Sequence, residues 1–161
     1  MNTPKDRNHR PTRRQSGIAA VEFAILLFVL VPIIAGIIEF GRAFWYYDAV
    51  LKGTRVAARY LSTVTVAQLA DGTAPTTARD IAVQASTAGG VPGFTGADVT
   101  VTCEPTACGS AVVPGDVTRV TVSATFSLGI GALVPFIGPA AAAGGGYAVS
   151  LTPHTTMPYM W

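Results

Sequence analysis

Few residues in this chain of 161 could do chemistry. It has two cysteines, Cys103 and Cys108, and two histidines, His9 and His154. The cysteines stand apart by Glu104, Pro105, Thr106 and Ala107, wider than the Cys-x-x-Cys of a dithiol redox site. A structural zinc site needs four ligands, and His154 alone does not complete one. A disulfide is the expected use of the pair wherever this region lies outside the cytoplasm. It would close a small loop under tight geometric limits. Serines and aspartates are scattered, with no nucleophile elbow and no Gly-rich phosphate loop behind a strand. The chain therefore reads as a non-enzyme with no metal site and no cofactor.

The ionisable residue in an unusual place is Glu22. It is the sole charge in an apolar run of 21 residues, 18–38. At about 1.5 Å per helical residue that run reaches roughly 31 Å, the thickness of a hydrocarbon core. A carboxylate at the centre of such a helix costs about 2.5–3.5 kcal/mol on insertion scales. One turn in from Gly17, near the headgroups, the cost is smaller. Two readings stay open: a tolerated interfacial acid, or a carboxylate awaiting a positive partner within the membrane. A newly exposed α-amino group on a neighbouring chain would be such a partner.

The elements that position Glu22 follow from charge and hydropathy. Lys5, Arg7, Arg10, Arg13 and Arg14 precede the run, against the single acid Asp6. Arg42, Lys52 and Arg55 follow it. The excess of positive charge on the N-terminal side predicts that side in the cytoplasm and the rest outside. Without residues 1–17 the remaining six basic residues face eight acids, a net charge of −2. The body is thus mildly acidic and nucleic acid is not an expected partner. A cleaved secretory signal is the nearest alternative for the run, but such cores are shorter and Ala35, Gly36 and Ile37 make a poor cleavage context.

The helix is expected to continue past the membrane to about Leu61. Phe40, Phe44, Tyr47, Leu51, Thr54, Ala58 and Leu61 recur every three or four residues, as one helical stripe does. Asp48, Lys52, Arg55 and Arg59 mark another face, and Gly53 weakens the helix by roughly 1 kcal/mol relative to Ala. Pro32 favours a kink. Phe44, Trp45, Tyr46 and Tyr47 cluster where an aromatic belt at the outer headgroups would sit, with the bilayer as their partner.

Beyond it, residues 62–74 read as a polar connection with a turn at Asp71 and Gly72. Residues 77–88 read as a short helix, with capping-box-like spacing of Thr77 and Asp80 and an apolar face of Ile81 and Ala85, ended by Gly89 and Gly90. Val99, Val101 and Cys103, then Val120, Val122, Ala124 and Phe126, then Tyr147, Val149 and Leu151 alternate with polar or small residues. This predicts an antiparallel sheet of about three strands, half-buried against the outer part of the helix. Residues 128–146 are apolar but broken by glycine and proline. They suit a core cap, a membrane contact or a subunit contact. The fold class is α+β: a long N-terminal transmembrane helix running into a small extracytoplasmic domain.

The basic leader ending at Gly17, the Glu22–Phe23 pair and the wording GIAAVEFAILLFVLVP resemble the TadE-like pseudopilins of the tight-adherence (Flp) pilus system. VLKGTRVAARYLS, from Val50, resembles the stretch following the helix in that family, and LTPHTTMPYMW, from Leu151, its Met–Pro–Tyr close. The resemblance implies a type IV prepilin signal, cut between Gly17 and Ile18 by a prepilin peptidase. It also implies a pilin-like fold and registry between subunits through Glu22 and Phe23. Its implied partners are other pilin-like subunits and the assembly platform in the bacterial inner membrane. The chain then divides into a cleaved leader (1–17), a membrane helix (18–38), its extracytoplasmic continuation (39–62) and an α+β head (63–161). The expected function is a minor subunit supporting assembly of adhesive pili. An unprocessed, signal-anchored extracytoplasmic binding or structural domain is the alternative.

Overall fold

The computed structural model describes residues 15–130 and 147–160. The leader up to residue 14, most of the apolar stretch 128–146 and Trp161 lie outside the described residues. Helix α1, Gln15–Leu61, runs unbroken through Pro32. Its 45 residues Gly17–Leu61 are long and apolar enough to cross a membrane. From Ile18 to Val31 every residue is exposed, and burial within the molecule becomes general only from Val50 onward. The first half of the helix is apolar on nearly every side and the second half carries a one-sided stripe.

The stripe behaves as the spacing predicts at its far end and not at its near end. Thr54, Ala58 and Leu61 are fully buried, whereas Phe40 and Phe44 are exposed. Asp48, Lys52, Arg55 and Arg59 lie on the solvent face. Lys52 Nζ stands 2.6 Å from Asp48 Oδ2.

The segment expected as a polar connection contains a helical turn, α2, Val66–Ala70. The capping box is here: Thr65 Oγ1 accepts from the Gln68 N–H while Gln68 Oε1 accepts from the Thr65 N–H. Val66 and Leu69 are thereby turned into the core. Helix α3, Thr73–Ala88, starts one turn before the expected Thr77. Its N-cap is Gly72, at φ 81°, and its first N–H, of Thr73, is met by the Asp71 carboxylate at 2.8 Å. The buried face of α3 is Ala74, Ala78, Ala82 and Ser86, with Ile81 and Ala85 only half-buried. The expectation of Thr77 and Asp80 as a cap, and of Ile81 with Ala85 as the inner face, is therefore corrected. A small-residue face lets α3 lie closer to α1 than isoleucine would.

Gly53 of α1 marks that approach. A methyl group at Gly53 would come within 3.0 Å of the Ala82 carbonyl oxygen and 3.2 Å of Ala85 Cβ. The helix propensity lost at Gly53 is exchanged for close seating of α3.

Strands β1 (Val99–Pro105), β2 (Val117–Ala124) and β5 (His154–Pro158) form a three-stranded antiparallel sheet in the order β1-β2-β5. Register runs from Val99 opposite Ala124 and from Arg119 opposite Pro158. Strands β3 (Phe126–Ile130) and β4 (Tyr147–Leu151) pair separately as a two-stranded ribbon. Two strand expectations are corrected here. The run through Phe126 breaks at Thr125, whose N–H donates to the Asp98 carbonyl at 2.8 Å. Tyr147–Leu151 pairs with β3 rather than completing the main sheet.

The core joins Val50, Ala57 and Leu61 of α1, the alanines of α3 and Val99, Val120 and Val122 of the sheet. Phe94 and Phe126 close one end edge-to-face, centroids 6.4 Å apart. Residues near the end of β5 return to α1: Met160 N–H donates to the Ser62 carbonyl at 2.9 Å, and Tyr159 Oη donates to the Val64 carbonyl at 2.6 Å.

Candidate functional site

The foot of α1 holds Gly17, Ile18, Glu22 and Phe23. Gly17 lies in the first helical turn, where backbone N–H groups lack intrahelical acceptors and opening breaks few bonds. Nothing lies within 4 Å of where a Gly17 side chain would be. Ile18 is 70% exposed and Phe23 62% exposed. Ile18 and Glu22 are four residues apart on one helix, so they share a face about 6 Å apart along the axis. Glu22 is exposed, and among the described residues it forms no ion pair. Glu22 stands seven residues, about two turns, into α1, beyond the first turn in which the helix dipole favours a carboxylate.

Four consecutive helical residues point four ways, and the structure uses the aromatics accordingly. Tyr46 is half-buried and packs on the core. Trp45 leans on the end of α3, where Nε1 donates to the Gly89 carbonyl at 2.9 Å. Phe44 and Tyr47, with Phe40, face the β3–β4 ribbon across an apolar groove of about 300 Å³.

Sequence reasoning missed Glu39. It is only 3% exposed, and its Oε2 accepts from Arg42 Nη2 at 2.9 Å. A buried carboxylate needs such a partner. The readable signal was an acid one residue past the apolar run with an arginine three residues on, a helical pair spacing.

Cys103 of β1 and Cys108 are joined as a disulfide, Cα atoms 5.0 Å apart. Beside it lies a depression of about 450 Å³ lined by Leu69, Thr76, Arg79 and Val101 among others. It offers one cation and no acid or imidazole, so it lacks the pair that general acid–base chemistry uses. His154 stands exposed at the start of β5. Among the described residues no three His, Cys, Asp or Glu side chains converge. Two aspartates have carboxyls held below the usual range by hydrogen bonds: Asp71 by the hydroxyl and N–H of Thr73, and Asp116 by the N–H groups of Val113 and Val112. Both serve as loop staples.

A helix long and apolar enough to cross a membrane thus carries a small α+β head. Residues 17–59 match the model of the TadE-like protein family. That family is associated with the Tad pilus. The match lies within α1 and covers both its exposed and its buried half. No curated protein and no solved structure matches the chain significantly.

Proposed function

We propose that this chain is a pilin-like minor subunit, a pseudopilin, supporting assembly of tight-adherence pili from the bacterial inner membrane. In this reading α1 crosses the membrane at 18–38 with residues 1–17 in the cytoplasm and the head outside. A prepilin peptidase removes residues 1–17 by cutting between Gly17 and Ile18. The observation that carries the reading is that the TadE-like match begins at Gly17 and includes Glu22 and Phe23.

Cleavage leaves a protonated amine on Ile18, one turn from Glu22. Within one chain the two share a face. Between neighbouring chains the amine of one helix pairs with the carboxylate of the next and sets their register. A charge in lipid is costly alone and far cheaper when paired, so lateral association is the favourable outcome. The head stays on the outer side, with the pilin-like subunits and the assembly platform as partners.

Intact-mass measurement of membrane-extracted protein tests the processing step. Loss of residues 1–17 only in cells that have the peptidase is the expected result. Glu22→Ala should insert normally yet fail to support piliation, and normal pili from that variant would refute the registry role. One observation favours the second reading, an unprocessed signal-anchored domain: α1 starts at Gln15, so Gly17 is helical rather than extended. An unprocessed mass in both strains would select it.

A further inference from the structure

The groove between α1 and the β3–β4 ribbon is walled by Phe40, Phe44 and Tyr47 on one side and Leu128, Val149 and Leu151 on the other. None of these side chains is charged. Val149 stands opposite Leu128 in the ribbon, so both strands contribute to one wall.

Its helix wall is continuous with the surface of the apolar run. Val29, Ile33, Ile37, Phe40, Phe44 and Tyr47 follow one another at spacings of four, four, three, four and three. That is a single helical stripe. All six are exposed, from 37% at Tyr47 to 71% at Phe44. The lower half of this stripe lies on the part of α1 that is long and apolar enough to cross a membrane. Counting about 1.5 Å per residue from Ile38, Phe40 lies roughly 3 Å and Phe44 roughly 9 Å beyond the apolar run. The headgroup layer on each side is roughly 5–7 Å thick. The lower mouth of the groove therefore opens at the hydrocarbon boundary, and its upper end stands just above the headgroups.

We propose that this groove receives one acyl chain of a phospholipid from the leaflet beneath the head, entering at Phe40 and lying between Phe44 and Val149. A lipid is the occupant whose source adjoins the mouth and whose chemistry matches walls without charge. The bound chain would seat the ribbon on the bilayer and set the tilt of the head. The inference requires α1 to lie in a bilayer and does not require the pilus role.

The test uses the full chain in phosphatidylethanolamine and phosphatidylglycerol vesicles doped with a phospholipid carrying a diazirine on its acyl chain. After irradiation, labelled positions are mapped by mass spectrometry. Acyl adducts are expected on Phe44 and on β4 at Val149 or Leu151, as well as on Val29 to Ile37. Val112, 81% exposed in a loop of the head, serves as the background. Phe44→Ser, at an exposed site the fold does not need, should bring β4 labelling down to that background while Val29 to Ile37 remain labelled. Val149→Ser should lower labelling of Phe44 in the same way. Labelling of β4 no higher than Val112, with 29–37 labelled, overturns the proposal. So does β4 labelling that neither substitution changes. Absence of label on 29–37 would instead remove the membrane placement on which the proposal stands.

Discussion

A methyl group added at Gly89 should loosen the seat of α3 on α1, and removing one at Ala49 should restore it. The structure puts a Gly89 Cβ 2.4 Å from Ala49 Cβ, more than an ångström inside the ordinary separation of about 3.5–4.0 Å. Ala49 lies within α1 and Gly89 caps the end of α3, and Trp45 already holds the Gly89 carbonyl. Overpacking of this kind costs about 1–3 kcal/mol. The backbone at Gly89, φ −76° and ψ −3°, suits alanine, so a gain of about 0.4–1 kcal/mol from the unfolded chain offsets part of the cost. Gly89→Ala should therefore destabilise the head by about 1–2 kcal/mol, or about 4–16 °C in Tm for a domain of this size. Ala49→Gly alone should cost about 1 kcal/mol of helix propensity. With both changes the clash is gone and the chain should return to within about 0.5 kcal/mol of the parent, a strong coupling for a contacting pair. Urea unfolding of the full chain in mild detergent, read by Trp45 fluorescence in a Trp161→Phe background, measures all four corners. Simple addition of the two single costs in the double variant would refute the proposed contact.

Tyr159→Phe should cost about 1–3 kcal/mol, because the buried Val64 carbonyl loses its partner. Burial pushes the Tyr159 hydroxyl above its ordinary 10.0. The folded state keeps the proton, so stability holds below pH 10 and falls as pH rises toward the folded value, a decline the phenylalanine variant should lose. The depressed carboxyls of Asp71 and Asp116 act at the other limb. Their contribution is present above the unfolded value of 3.8 and disappears as pH falls below it. Asp116→Asn should flatten part of the acid decline in an unfolding titration. Cys103→Ser should lower stability by about 2 kcal/mol through release of the small loop. A two-hydrogen mass difference on reducing protein taken directly from cells should report that the pair is oxidised there. A reduced pair in freshly trapped protein would place the head in a reducing compartment.

What was legible in the sequence was whatever depended on length and period. The helix from the apolar run to Leu61 needed only a stripe of Thr54, Ala58 and Leu61 at helical spacing. β1 and the body of β2 needed only valines alternating with polar residues. What stayed hidden depended on partners. Strand β5 has Pro153 before it, Pro158 at its end and threonines between, so its alternation is weak; its place at the edge of the sheet tolerates both features. The break at Thr125 is invisible because Ala124 and Phe126 keep the alternation while the chain changes sheets. α3 was displaced by one turn because its cap comes from Asp71 and Gly72, outside the Ser/Thr-x-x-Glu pattern. At the foot of the helix Glu22 was conspicuous because a charge in an apolar run needs a reason. Glu39, between Ile38 and Phe40, escaped notice because it stands just beyond that run, where only the folded structure reveals its burial.

The closure between the end of β5 and the end of α1 has a temporal side. The Tyr159–Val64 hydrogen bond spans 95 residues of chain. A polypeptide emerging from α1 onward presents α2, α3, β1 and β2 long before β5 arrives. Throughout that interval the β5-facing edge of β2 has unpaired backbone groups, and an open edge of this kind is a template for any passing strand. Closure of the head is thereby tied to arrival of β5 rather than to local folding, since contacts this distant in sequence are slow to form. A chain stalled before β5 would differ from a finished one chiefly at that edge, which is where the two could be told apart.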